Sequence, residues 1–126
     1  MDAGDFDGVG ELFAAGVLLD PDGNEIARGR EAVASFYRRI VILYDGSPRT
    51  EHVTADAEIQ IHDENAAVTS TYVVHQQIDG HRARVAAGRY ADRFRRIAGR
   101  WRFAQRQFFL DEAHEMSNHV RMPQSD

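Results

Sequence analysis

The sequence predicts an α+β domain in which N-terminal helices pack on a long antiparallel meander. Three observations predict it. Apolar residues recur at helical spacing up to Tyr44, and long runs rich in Val, Ile, Thr, Tyr and Phe follow. Tight turn signals separate those runs. The chain's 126 residues are one domain's worth.

The elements follow in order. Phe6, Val9 and Phe13 fall at helical spacing behind Asp5, a good N-cap. Asp20-Pro21-Asp22-Gly23-Asn24 is dense turn chemistry. Between Arg30 and Tyr44, the residues Val33, Phe36, Tyr37, Ile40 and Tyr44 form one helical stripe, stopped by Asp45-Gly46-Ser47-Pro48. Strands are expected over 50–62, 66–78, 82–97 and 100–112. Asp63-Glu64-Asn65, Asp79-Gly80 and Ala98-Gly99 separate them. Strands longer than about 5–6 residues must twist, curl and bulge, which gives the sheet a concave face for the helices to cover. The domain is expected over residues 1–112, with 113–126 as a C-terminal tail whose last residues, 123–126, are loose.

Composition removes several function classes. Hydrophobic residues make up 43% and charged residues 28%, globular values that exclude a disordered or collagenous chain. No apolar run is long enough for a membrane span or a secretory signal, so no membrane role is expected and the location is expected to be cytoplasmic. Twenty acidic against fifteen basic residues give a net charge of −5, which argues against nucleic acid as a partner. Without cysteine there are no disulfides, thiol catalysis or cysteine-ligated zinc.

Hairpin turns set register, and register sets facing. An Asp79-Gly80 turn pairs Ile78 with His81, His75 with Arg84 and Thr71 with Gly88. An Ala98-Gly99 turn pairs Phe94 with Phe103 and Tyr90 with Gln107. A Glu64-Asn65 turn pairs Thr54 with His75 and leaves His52 diagonal to His75. The face so defined carries His52, Thr54, Asp56, Val73, His75, Ala86, Gly88, Tyr90, Phe94, Trp101, Phe103, Gln107 and Phe109, which reads as a pocket lining. The other face would carry Val53, Ala55, Ile59, Tyr72, Val74, Val85, Ala87, Phe108 and Leu110. A bare apolar sheet face implies a homo-oligomer, dimer or trimer.

Two metal patterns fail, one on spacing and one on a required residue. His114 and His119 miss His-Glu-x-x-His by one residue, which takes the second histidine off the helical face. Asp20, Asp22, Asn24 and Glu31 match positions of a calcium loop, but Glu25 stands where the sharp turn requires glycine. No metal and no cofactor are expected. Arg93, Arg95, Arg96, Arg100 and Arg102 read as a charged hairpin tip, and His62, His81, His114 and His119 as surface residues.

Several segments together resemble the SnoaL-like and scytalone-dehydratase-like branch of the nuclear transport factor 2-like α+β cone fold. They are Asp2-Ala3-Gly4-Asp5-Phe6-Asp7, Gly29-Arg30-Glu31-Ala32-Val33, Glu51-His52-Val53, Val74-His75-Gln76-Gln77, Gly88-Arg89-Tyr90 and Gly99-Arg100-Trp101-Arg102-Phe103-Ala104. The resemblance covers Asp2 to about Asp111 and implies a cone-shaped α+β barrel. In scytalone dehydratase an aspartate and two histidines work together in the cone, and by motif position these are Asp2, His52 and His75. Gly88 and Tyr90 stand where that enzyme has a serine and an asparagine, and Met1 stands where it has a tyrosine, which argues against the same substrate. The chain begins where the family's first helix is normally half complete. Either the start codon is miscalled or the pocket lacks part of its lid.

The resemblance implies a cofactor-independent lyase or isomerase acting on a small, mostly apolar cyclic substrate. Asp2 would orient His52, fixing its tautomer so that it serves as general base. His75, with Tyr90 or Thr54 nearby, would donate to the departing or developing oxygen anion. Phe36, Thr54, Trp101, Phe103, Gln107 and Phe109 would bind the substrate. The non-catalytic alternatives are a sheet histidine satisfied by Asp56 or Thr54 for His52, and a polar residue in a half-wet cone for His75. For the whole chain the alternative is a module of the same fold that binds a small molecule or oligomerises.

Overall fold

A computed structural model describes residues 1–114, 116, 119 and 120. Its elements are α1 (Phe6–Leu12), β1 (Val17–Leu19), β2 (Glu25–Arg28), α2 (Gly29–Ile40), β3 (Thr50–His62), β4 (Asn65–Ile78), β5 (His81–Ile97) and β6 (Arg100–Ala113). Asp5 caps α1 as expected, its carboxylate accepting the Gly8 N–H at 2.9 Å. The helix α2 ends at Ile40, four residues before the apolar stripe does, because Val41 turns extended and bridges to Val120. Tyr44 instead closes a small turn onto Ser47. The expected loose end at 123–126 lies outside the described residues.

All six strands form one sheet, in the order β2-β1-β6-β5-β4-β3. The four long strands make the expected antiparallel meander. Two short strands extend it: β1 and β2 form a hairpin, and β1 lies parallel to β6. Asp20 shapes that hairpin turn by accepting the N–H groups of Asp22 and Asn24, each at 2.9 Å. Asp20, Asp22 and Asn24 of the apparent calcium loop therefore form a local turn, while Glu31 lies on α2. No helix among the described residues is long and apolar enough to cross a membrane.

The core lies between the helices and the sheet. Phe13, Leu18, Ala27 and Val33 form one buried cluster, against which Phe36, Tyr37, Phe103 and Phe108 pack. Tyr72, Val74, Val85 and Ala86 form a second, joined by Tyr90 and Met116. A fold with one face of a curved sheet covered by helices is the expected α+β class.

Near the turns the expected register is observed: Ile78 pairs with His81, His75 with Arg84, and Phe94 with Phe103. Further along, bulges change it. An extra residue at Val85 moves Thr71 from Gly88 to Arg89. Another at Ala104 moves Tyr90 from Gln107 to Phe108. The β3–β4 turn is Asp63-Glu64, since His62 pairs with Asn65, and a bulge lies between Ala55 and Glu58, with Asp56 at φ 53°. A one-residue shift exchanges faces. Consequently His52 pairs with Val74, and His75 with Glu51 on the opposite face. The concave side holds Tyr72, Val74, Phe108 and Leu110, all expected outside. Val73, His75, Gln107 and Phe109 alternate away from it.

Candidate active site

A cavity of about 320 Å³ lies between the helices and the concave face. Phe36, Tyr37 and Ile40 of α2 form one wall, and His52, Thr54, Tyr72, Val74, Tyr90, Phe103, Arg106 and Phe108 rise from the sheet. Met1, Met116, His119 and Val120 complete its rim. The lining is mostly apolar with a few polar groups, the usual character of a small-molecule site.

Asp2 and His52 form a dyad on this wall. The Asp2 carboxylate lies 2.5 Å from His52 Nδ1, and it accepts the His52 backbone N–H at 2.8 Å and the Thr50 hydroxyl at 2.9 Å. Burial opposes ionisation of Asp2, but the bonds from His52 and Thr50 prevail and hold its carboxyl below the usual aspartate value. With Nδ1 occupied, Nε2 is the ring nitrogen left for a ligand. Asp56 has no part in this dyad; its carboxylate accepts the Thr71 hydroxyl at 3.3 Å.

The segment carrying Asp2 is held from both sides. Gly4 donates its N–H to the Met1 carbonyl at 2.9 Å and adopts φ 74°. A Cβ there would come within 2.4 Å of the Gly46 carbonyl oxygen, so only glycine permits this approach.

Tyr90 stacks on Tyr72 at 4.4 Å between centroids and lies over the Arg106 guanidinium at 3.7 Å. Arg106 makes a bidentate pair with the buried Asp92 carboxylate at 2.8 and 2.9 Å. Burial pushes the Tyr37 and Tyr72 phenols up to about 12 and raises Tyr90 as well. At neutral pH all three are uncharged hydrogen-bond donors, and Tyr72 uses its proton on the Phe109 carbonyl at 3.1 Å.

His52, Tyr90, Phe36, Thr54 and Phe103 therefore meet at one cavity, and Asp2 is joined to it through His52. The structure does not bring the other expected residues there. His75 lines a separate hollow with Arg49, Glu51, Gln77 and Arg82, because it alternates with Val74, which faces the cavity. Trp101 pairs with Arg96 near the β5–β6 turn and is 41% exposed. Gln107 is turned to the β1–β2 hairpin, where its amide donates to the Asp20 and Pro21 carbonyls at 3.2 Å. Phe109 lies under Arg89 at 4.7 Å.

Two contributors escape a reading of the sequence. Arg106 could have been suspected as a cation alternating with Phe108 in an aromatic strand. His119, expected at the surface, is only 6% exposed and reaches the cavity. Its approach depends on the bridge between Val41 and Val120, for which no local signal exists.

Comparison with known proteins agrees with this architecture. No curated protein matches the chain. A protein of unknown function from Mycobacterium tuberculosis superposes with a TM-score of 0.72 at 26% identity, covering 91% of this chain. The chain spans 65% of that protein's length. A protein assigned as a scytalone dehydratase from Novosphingobium aromaticivorans superposes at 0.69 and 18% identity, covering 90% of this chain and 76% of that one. ActVI-ORFA from Streptomyces coelicolor superposes at 0.68, also at 18%, with coverages of 87% and 85%. At such identities these last two show the fold alone. The model of the SnoaL-like domain matches residues 1–107, and the chain belongs to that family.

Proposed function

We propose that the protein is a cofactor-independent lyase or isomerase acting on a small, mostly apolar cyclic substrate, with His52 as general base and Asp2 as its orienter. The observation that carries this reading is the 2.5 Å contact between Asp2 and His52 Nδ1 on the wall of an otherwise apolar cavity. His52 Nε2 takes a proton from a carbon next to a carbonyl, and the electron pair passes to the carbonyl oxygen as an enolate. The Tyr90 hydroxyl, uncharged at neutral pH, donates a hydrogen bond to that oxygen. Return of the His52 proton to a second carbon completes an isomerisation. Return to a departing β-hydroxyl, which leaves as water, completes an elimination. Phe36 and Phe103 hold the ring.

The test is turnover of a panel of cyclic ketones and β-hydroxy ketones by the wild type, His52→Gln and Asp2→Asn. Loss of general base catalysis should lower the rate by about 10²–10⁴-fold in His52→Gln. Asp2→Asn, which keeps the shape but not the charge, should lose a large part of the same factor. If the wild type binds panel members but turns none over, the reading fails in favour of a binding module.

On the same reading the protein works as a homo-oligomer joined through the outer sheet face. Supporting this is an apolar row across β3, β4 and β5, in which Val53, 44% exposed, pairs with Val73 and Val73 with Ala87.

A further inference from the structure

We infer that His119 is the second imidazole of the cavity and that, with His52, it holds the oxygen pole of a mostly apolar cyclic ligand. This role presupposes that the cavity is the substrate site proposed above.

Geometry places it there. The His119 ring lies 6.0 Å from that of His52, centroid to centroid, inclined by 63°. Both rings line the same cavity. An oxygen atom between two imidazoles at this spacing can meet a nitrogen of each within hydrogen-bond reach. The hydrocarbon part of such a ligand would then lie against Phe36, Val74 and Phe103.

The backbone at His119 is hydrogen-bonded on both sides, which holds the residue in place. The Ile42 N–H donates to the His119 carbonyl at 2.9 Å, and the His119 N–H donates to the Met116 carbonyl at 2.9 Å. The next residue, Val120, bridges to Val41. By contrast the His119 Nδ1 is buried and has no hydrogen-bond partner among the described residues. Buried polar atoms are nearly always paired, and an unpaired one shows that no other group in the described residues claims this ring nitrogen.

The charge state suits the role. Burial, with the neighbouring His52 adding to it and Asp2 only partly opposing, drops the His119 imidazole to about 4. At neutral pH it presents one N–H and one lone pair, so it can donate to a carbonyl or accept from a hydroxyl. Arg106 and Tyr90 stand elsewhere on the same wall.

The experiment compares 1-tetralone with tetralin, the same bicycle without oxygen, in the full chain. Affinities are measured by calorimetry for the wild type, His119→Phe and His119→Asn, with His119 ring ¹⁵N shifts followed in the wild type. The wild type should prefer tetralone, and His119→Phe should lose about tenfold in tetralone affinity while holding tetralin within about twofold. His119→Asn, which keeps a donor and an acceptor, should recover part of the loss. Tetralone but not tetralin should move the His119 ring nitrogens, a readout that survives if the variants fail to fold. Equal loss of both ligands, no loss, absence of a wild-type preference, or an unmoved His119 signal each overturns the proposal. If His119 responds as described but the panel above shows no turnover, the catalytic reading fails and the ligand site stands.

Discussion

The dyad depends on how Asp2 spends its two carboxylate oxygens. One takes the backbone N–H of His52 and the other meets Thr50 and the His52 ring. These three partners hold Asp2 in place. They also make stability depend on pH. The folded Asp2 carboxyl lies below its ordinary 3.8, so its contribution is complete above that value and lost as pH falls through the lower folded one. His119 acts in a higher window. The unfolded chain protonates it near 6.5, whereas the folded chain resists until about 4. Between those values the unfolded state binds the extra proton, so stability should fall as pH drops from 6.5 to 4, by up to about 3 kcal/mol. Urea denaturation at pH 7, 5.5 and 4 checks this, and His119→Asn should flatten the slope across that window.

At the scale of elements, the long strands owe their shape to bulges. Each inserts one residue, bends the strand and exchanges the faces beyond it. The bulge between Ala55 and Glu58 puts His52 on the face of Val74: without it, His52 would pair with His75 and face away from the cavity. Gly88 marks another such place, paired with Tyr72 on one side and Leu110 on the other. A Cβ at Gly88 would stand 1.9 Å from the Phe109 carbonyl oxygen and 2.6 Å from the Tyr72 hydroxyl. Backbone cannot move aside as a flexible side chain can. Gly88→Ala should therefore cost about 3 kcal/mol or more, read as a lowered denaturation midpoint, and should displace Tyr72 from its bond to Phe109.

For the whole molecule, one curved sheet separates two environments. The concave side meets the helices and encloses the cavity, while the outer side carries Val53, Val73 and the ion pairs Arg84–Glu112 and Arg89–Asp111. Exposed pairs of this kind add little stability and are compatible with an interface rim. If two or more copies join through the outer face, sedimentation velocity should show an assembly that Val53→Asp shifts toward monomer. The dyad lies on the other side of the sheet, so turnover per chain should survive that change to within a few-fold.

The amino-acid sequence by itself determined the class of the fold, the order of helices and long strands, and the hairpin registers close to their turns. These rest on periodicity and turn chemistry, which act over a few residues. It also brought out Asp2 and His52, because a family resemblance carries position as well as residue type. Only the tertiary structure decided which side chains share the cavity. The bulges that part His52 from His75 and place Gln107 and Phe109 elsewhere leave no mark in hydrophobic pattern, since a strand with one extra residue looks like a strand. The short strands β1 and β2 and the late arrival of His119 were equally hidden. Both form through pairing with partners distant in the chain, Val17 with Gln105 and Val41 with Val120, and long-range pairing has no local signature to read.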